Sequence, residues 1–212
     1  MNSIAKGMMV AAAAALMSVS AHAAPVITFD SAPALDGSVL TTPEAGATVY
    51  DFNDGLKPAG YSGDGGVVSG SVGGQYAAPA GDTTNYLSVA IGAASGTEVF
   101  LGGDYNYFGL YWGSIDTYNT LAFYNNGSLV VELDGADVIA AGASFGDQIA
   151  PGANRYVNIY LGSDVFDEIR FTTTSFAFES DNHAFAKVSE PATLALIGAG
   201  LLGFGLARRR RG

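Results

Sequence analysis

This sequence predicts an all-β body, a two-sheet antiparallel sandwich of jelly-roll type, with an N-terminal signal peptide before it and one C-terminal transmembrane helix after it. Three observations carry that reading. Short runs of β-branched and aromatic residues alternate with clusters of Gly, Asn, Asp and Pro through the middle of the chain. Several of those runs repeat apolar residues with a period of two, the period of a half-buried strand. The two ends are uncharged apolar stretches with small or basic flanks. No stretch inside the body shows a helical period.

In chain order, strands are expected at 26–29, 48–52, 67–69, 87–91, 98–101, 107–112, 120–124, 129–133, 156–161, 168–172, 176–179 and 184–188. Alternation places Phe108, Leu110 and Trp112 on one face. It does the same for Leu121 with Phe123, for Leu129, Val131 and Leu133, and for Val157, Ile159 and Leu161. Asn125-Asn126-Gly127 is a hairpin signal, because Asn-Gly accepts the positive φ angles of a type I′ turn. Asn126-Gly127-Ser128 also spells a glycosylation pattern, which the hairpin explains without a sugar. The segment 55–82 is rich in glycine and reads as a long surface loop with one edge strand at 67–69. No Lys-Ser or Lys-Thr follows its glycines, so it is not a phosphate loop. So many short strands suggest a sandwich, with a barrel as the alternative.

The first 23 residues form a signal peptide. Lys6 starts it, residues 8–19 are its apolar core, and Ala21-His22-Ala23 is an A-x-A cleavage site. The cut is expected after Ala23. An N-terminal anchor is the alternative, disfavoured by the short apolar run. Residues 24–187 then form one domain, long enough to bury a core.

That domain has four basic residues, Lys57, Arg155, Arg170 and Lys187, against 19 acidic ones, a net charge of −15. Such a surface repels nucleic acid and anionic lipid head groups, and favours solubility and cations. The chain has no cysteine, which excludes thiolate catalysis and Cys-based zinc sites. After signal removal, His183 is the one imidazole left for a triad or a metal cage.

Two constellations carry the candidate chemistry. The first joins two good strands and contains Tyr111, Trp112, Asp116, Tyr118 and Asn119. Flat aromatic faces with a few carboxylate and amide groups suit a carbohydrate ligand. Trp112 shares its alternation with Phe108 and Leu110, so a core position is its competing reading. The second constellation is Glu179, Asp181 and Asn182, read as a polar turn between two strands. Their oxygens are of the type Ca²⁺ prefers, and further ligands would come from elsewhere, such as Asp116 or Asp167. No other cofactor is expected. Paired carboxylates can also hydrolyse glycosides, Asp116 with Glu179 or Asp181 being the pair to test, but nothing singles out a proton donor and no enzyme is expected.

The tail, 188–212, has a distinct order. Ser189-Glu190-Pro191 leads into an uncharged run at 192–207, and Arg208, Arg209, Arg210 and Arg211 close it. Sixteen helical residues reach ~24 Å, slightly short of the ~30 Å hydrocarbon core, a mismatch that local thinning covers. The arginines hold that end in the cytoplasm, so the body faces away from it. Small residues recur at Ala195, Ala199, Gly203 and Ala207, a face suited to close helix approach.

An acidic-proline motif, a Gly/Ala/Leu span and a terminal Arg cluster resemble the PEP-CTERM sorting signal of Gram-negative bacteria. The first proline of the motif is missing here. The runs FGLYWGSIDTYNTLAFY, YAAPAGDTTNYLSV and FDEIRFTTTSFAFESDNHAF are similar to a subfamily of exosortase-dependent surface proteins. The resemblance implies an exosortase-type processing enzyme as partner, the membrane as a station, and the cell surface or extracellular matrix as destination. It implies a structural or adhesive role linked to exopolysaccharide or biofilm. The residues themselves add a carbohydrate-binding module, Ca²⁺-assisted or not, as the alternative, and a glycan hydrolase as a second one.

Overall fold

The computed structural model describes residues 24–29 and 41–189. The expected signal peptide with Ala21 and Ala23, the span 192–207, and Glu190, Pro191, Arg208, Arg209, Arg210 and Arg211 lie outside the described residues. Among the described residues no helix is long and apolar enough to cross a membrane.

The elements are β1 (Val26–Phe29), β2 (Thr48–Tyr50), β3 (Tyr61–Gly63), β4 (Gly65–Ser69), β5 (Asn85–Val89), β6 (Gly96–Tyr105), β7 (Tyr107–Gly113), β8 (Asn119–Asn125), β9 (Ser128–Asp134), α1 (Gly135–Ala140), β10 (Arg155–Tyr160), β11 (Phe166–Thr173) and β12 (Phe178–Ala186). One antiparallel sheet has the order β1-β10-β7-β12-β5-β4, with β2 also against β12. The other has the order β3-β6-β11-β8-β9. The expected all-β body with two antiparallel sheets is therefore present, and the two sheets stay separate rather than closing into a barrel.

The core lies between the sheets. Phe108, Leu110 and Trp112 of β7 and Val157 and Ile159 of β10 face Leu121 and Phe123 of β8 and Ile169 and Phe171 of β11. The Phe108 ring stands edge-on to both Phe123 and Phe171, with centroids 6.0 and 5.8 Å apart. Each such side chain contributes about 1.5–3 kcal/mol by leaving water, which is what holds two otherwise independent sheets face to face. The β8–β9 hairpin turns at Asn126 and Gly127, whose φ angles of 48° and 75° are those the Asn-Gly pair was expected to accept.

Four expectations are corrected. First, β7 is buried on both faces, not one. Its outer face is covered by other parts of the chain: Pro79 lies against Gly113, and the Tyr107 and Tyr156 hydroxyls lie over Gly109. Second, the strands expected at 176–179 and 184–188 are one nine-residue strand, β12, between β7 and β5. The polar stretch read as a turn is its buried middle, with a bulge between Asp181 and Ala184 against β7. Third, α1 was not expected. Six residues are too few to display a helical period, but Asp134 caps the N-terminus in a reciprocal pair with Asp137. Fourth, Leu129 leaves the apolar face of β9. A register shift at Phe123/Tyr124 carries the hairpin tip beyond the core, and Leu129 is exposed while Leu133 is buried.

The glycine-rich segment carries two strands where one was expected. β3 belongs to the five-stranded sheet and β4 to the seven-stranded one, so the chain changes sheets at Asp64. Buried Glu98 fills that corner. It pairs with Lys57 Nζ at 2.9 Å and accepts the Gly65 N–H at 2.8 Å. Gly63 has φ +134°, and a Cβ there would run into the Thr97 carbonyl oxygen. Gly63→Ala is therefore expected to lower stability by about 1–3 kcal/mol. Calorimetry checks this, and an unchanged melting temperature would show that the corner relaxes freely.

Candidate functional site

The end of the sandwich where β7 finishes and β12 begins brings together three stretches of irregular chain. These are the end of the glycine-rich segment, the loop after α1, and the β11–β12 turn, with the β7–β8 turn alongside. Between them lies a pocket of about 150 Å³ lined chiefly by Val72, Gln75, Tyr76, Gln148, Phe176 and Glu179. The loops are held by specific bonds. Ile115 N–H donates to the Ala153 carbonyl, Gly146 N–H to the Ile115 carbonyl, and Ala77 N–H to Glu179 Oε1, at 2.8, 2.8 and 2.9 Å.

Glu179 is the buried floor of the pocket. Burial, with a smaller contribution from the Asp116 charge, pushes its pKa up to about 7. Ser88, its cross-strand partner on β5, has a buried hydroxyl without a hydrogen-bond partner. Asp116 is raised by burial and held down by Tyr118, whose hydroxyl lies 2.6 Å from Asp116 Oδ2 and 2.9 Å from the Phe176 carbonyl. Tyr118 is itself raised, first by burial, then by Asp116 and Glu179. Asp116, Tyr118 and Glu179 are thus one electrostatic group beside the pocket. Its rim is apolar. Phe176 is 44% exposed, and Phe145 and Ile149, exposed too, flank Gln148 in the same loop.

The other residues singled out from the sequence take different places. Tyr111 is buried and donates its hydroxyl to the Ala80 carbonyl. Trp112 is buried and stacks on Phe178 with centroids 4.6 Å apart. Neither ring offers a face to solvent. Asn119 is buried, and its amide donates to the Ala177 carbonyl at 3.2 Å. Asp181 lies two residues beyond Glu179 on β12 and faces Asp82 instead of the pocket; burial first, then Asp82, pushes it up to about 8. Asn182 sits in the β12 bulge at φ +50°, and its carbonyl accepts the Tyr156 hydroxyl. His183 is in the core. Its Nδ1 meets the Tyr61 hydroxyl at 2.7 Å and its Nε2 the Ser180 hydroxyl at 2.9 Å, and it stacks on Phe171. Burial lowers its pKa to about 3, so the ring is neutral and packed. Among the described residues no group of three or more His, Cys, Asp or Glu is placed to hold a metal ion.

Gln75, Gln148 and Phe176 were not singled out from the sequence. Two are loop residues without a pattern, and Phe176 was taken as the first residue of a strand that starts two residues later.

Ser189 is exposed at the end of the described residues. Just before it, Asn106 grips Val188 twice, accepting its N–H at 2.6 Å and donating to its carbonyl at 2.8 Å. The PEP-CTERM protein-sorting motif matches residues 187–211. The chain carries that sorting signal. No curated protein and no solved structure gives a significant match. The PEP-CTERM signal implies export, processing by a membrane enzyme of the exosortase type, and a surface destination. Val188, inside the matched segment, is still part of the folded body, so the motif emerges directly from the sheet.

Proposed function

We propose that this chain is an adhesive component of the cell surface or extracellular matrix that holds neutral polysaccharide at the rim pocket. In this reading the PEP-CTERM signal delivers the body, which has jelly-roll connectivity, through a membrane-spanning helix at 192–207, and exosortase cleavage then releases it. One observation carries the ligand assignment. Glu179 at the floor, Gln75, Gln148 and the exposed Phe176 border one pocket. Amides and carboxylates bind hydroxyl groups, and an aromatic face stacks on the C–H face of a sugar ring. The body's net charge of −15 disfavours acidic polymers. The chain performs no hydrolysis in this reading: Asp116 is engaged by Tyr118 and Glu179 by the Ala77 N–H.

The full-length chain in mild detergent is expected to retain a subset of neutral glycans on an array. Phe176→Ala should weaken that retention roughly tenfold through lost stacking. Glu179→Gln should weaken it similarly, while leaving the circular dichroism spectrum unchanged. A wild-type chain that ignores every glycan would leave a purely structural role and end the binding assignment.

A further inference from the structure

The two sheets treat their outer faces differently. β12, central in the larger sheet, is buried along eight of its nine residues. β11, central in the smaller one, alternates: Phe166, Ile169 and Phe171 are buried, while Glu168, Arg170 and Thr172 are half-buried. One face of an antiparallel sheet can be left to water in this way. Here that open face is not flat. It holds a groove of about 320 Å³ lined by β6, β8, β9 and β11 alone. Register explains its shape. Ala122 of β8 stands between its cross-strand partners, Arg170 of β11 and Glu132 of β9. Thr120 and Tyr124 precede and follow it on the same face of β8. The smallest side chain is ringed by larger ones, which is why Ala122 is only 6% exposed on an uncovered face. From Thr120 to Tyr124 the strand runs about 13 Å, room for more than one sugar ring.

The lining is polar and largely unengaged. Thr172 lies between Thr97 and Thr120 in a row across three strands, and the Thr97 and Thr172 hydroxyls are 3.2 Å apart. Arg170 lies over the Tyr124 ring, 4.2 Å from its centroid, and its Nε donates to Glu168. Stacking and ion pair together hold the planar guanidinium in one orientation. Among the described residues, the Thr120 and Tyr124 hydroxyls, the Glu132 carboxylate and the terminal nitrogens of Arg170 have no hydrogen-bond partner.

We propose that this groove is a second carbohydrate site, which takes a neutral glycan chain lying along the outer face of the five-stranded sheet. The lining offers both donors and acceptors, and sugar hydroxyls are both at once. Charge and polarity select against other occupants. Arg170 is answered by Glu168, and Glu132 leaves the face slightly negative, so a polyanion is repelled. Apart from Ala122 and the Tyr124 ring no apolar side chain lines the groove, so a lipid chain or the apolar centre of a protein interface gains little there. The groove shares no residue with the rim pocket. Two separate sites let one chain cross-link polysaccharide, and joint engagement of a polymer strengthens retention without any new contact.

The test is affinity electrophoresis of the full-length chain, in mild detergent, through gels containing dextran, a mixed-linkage β-glucan, galactomannan or, as the polyanion, alginate. At least one neutral polymer should retard the wild type, and alginate should not. Ala122→Leu fills the groove floor without changing charge and should weaken the apparent affinity about tenfold. Thr120→Val keeps the side-chain shape, removes one free hydroxyl and should weaken it about fivefold. Both side chains face outward, so neither change should move the melting midpoint by more than about 2 °C. Thr120→Val decides the matter if the larger side chain at 122 disturbs the fold. Adding Phe176→Ala to Ala122→Leu should remove the retardation that the rim pocket still gives. Wild-type chain that runs freely in every neutral gel would overturn the proposal, as would a preference for alginate. So would groove variants that run like the wild type, or retardation abolished by Phe176→Ala alone.

Discussion

Trp112→Ala is expected to lower the free energy of unfolding by about 3–5 kcal/mol, a third or more of what a domain of this size has to lose. The ring is fully buried in β7, stacked on Phe178 at an interplanar angle of 23°. Neighbouring strands hold it on both sides: Arg155 of β10 and Ser180 of β12 are its register partners. A sheet flanked on both edges cannot collapse into the space an alanine leaves, so the cavity persists. Trp112→Phe is the informative contrast. It keeps most of the volume and removes an indole N–H that has no acceptor. It should therefore cost less than half as much. Urea unfolding followed by far-ultraviolet circular dichroism reads both values. A Trp112→Ala loss under about 1 kcal/mol would mean that the ring is not packed between the sheets.

Replacing Arg208, Arg209, Arg210 and Arg211 by Ala is expected to abolish correct sorting. A guanidinium at the centre of a bilayer costs about 2.5–3.5 kcal/mol on insertion scales, so four together act as a barrier to translocation. In the proposed topology the arginines hold the end of the tail in the cytoplasm, and the replacement removes that hold. Cell fractionation should then show the surface-exposed species falling by at least about tenfold, since one arginine's barrier alone exceeds the energy of that factor. Intact-mass analysis of the unmutated protein supplies the second half of the test. The mature species should lack both the first 23 residues and the tail beyond the Ser189–Ala192 neighbourhood. The Asn106 bonds to Val188 sharpen that window. A cut before Val188 would break the Asn106 bonds that tie down the end of the body, so the cut is expected at Ser189 or later. A quadruple-Ala chain sorted as efficiently as the wild type would remove the arginines from the mechanism.

Which parts of this were legible beforehand follows from how local each signal is. Alternation identified Phe108, Leu110, Trp112, Leu121, Phe123, Val157 and Ile159 as core, because side-chain direction along a strand depends on the strand alone. The Asn126-Gly127 turn was legible for the same reason. β12 was not. Glu179, Asp181 and Asn182 read as a polar turn, yet they and His183 are buried in a central strand. Their burial depends on Ala77 and Asp82, about a hundred residues away in sequence, covering one face, and on Tyr61 reaching His183 from the other. The candidate site divides in the same way. Asp116 and Tyr118 were marked from their own turn, whereas Phe176, Gln75 and Gln148 come together only when three loops meet at one end of the sandwich.

By itself the sequence determined the all-β class, the core alternation and the sorting motif written in residues 187–211, since each is a property of contiguous residues and their preference for water, lipid or a pleated sheet. The tertiary structure alone decided which polar residues lose their water and which oxygens face one another. Desolvation is set by whatever chain arrives from elsewhere to cover a side chain, and no stretch of sequence carries that information within itself.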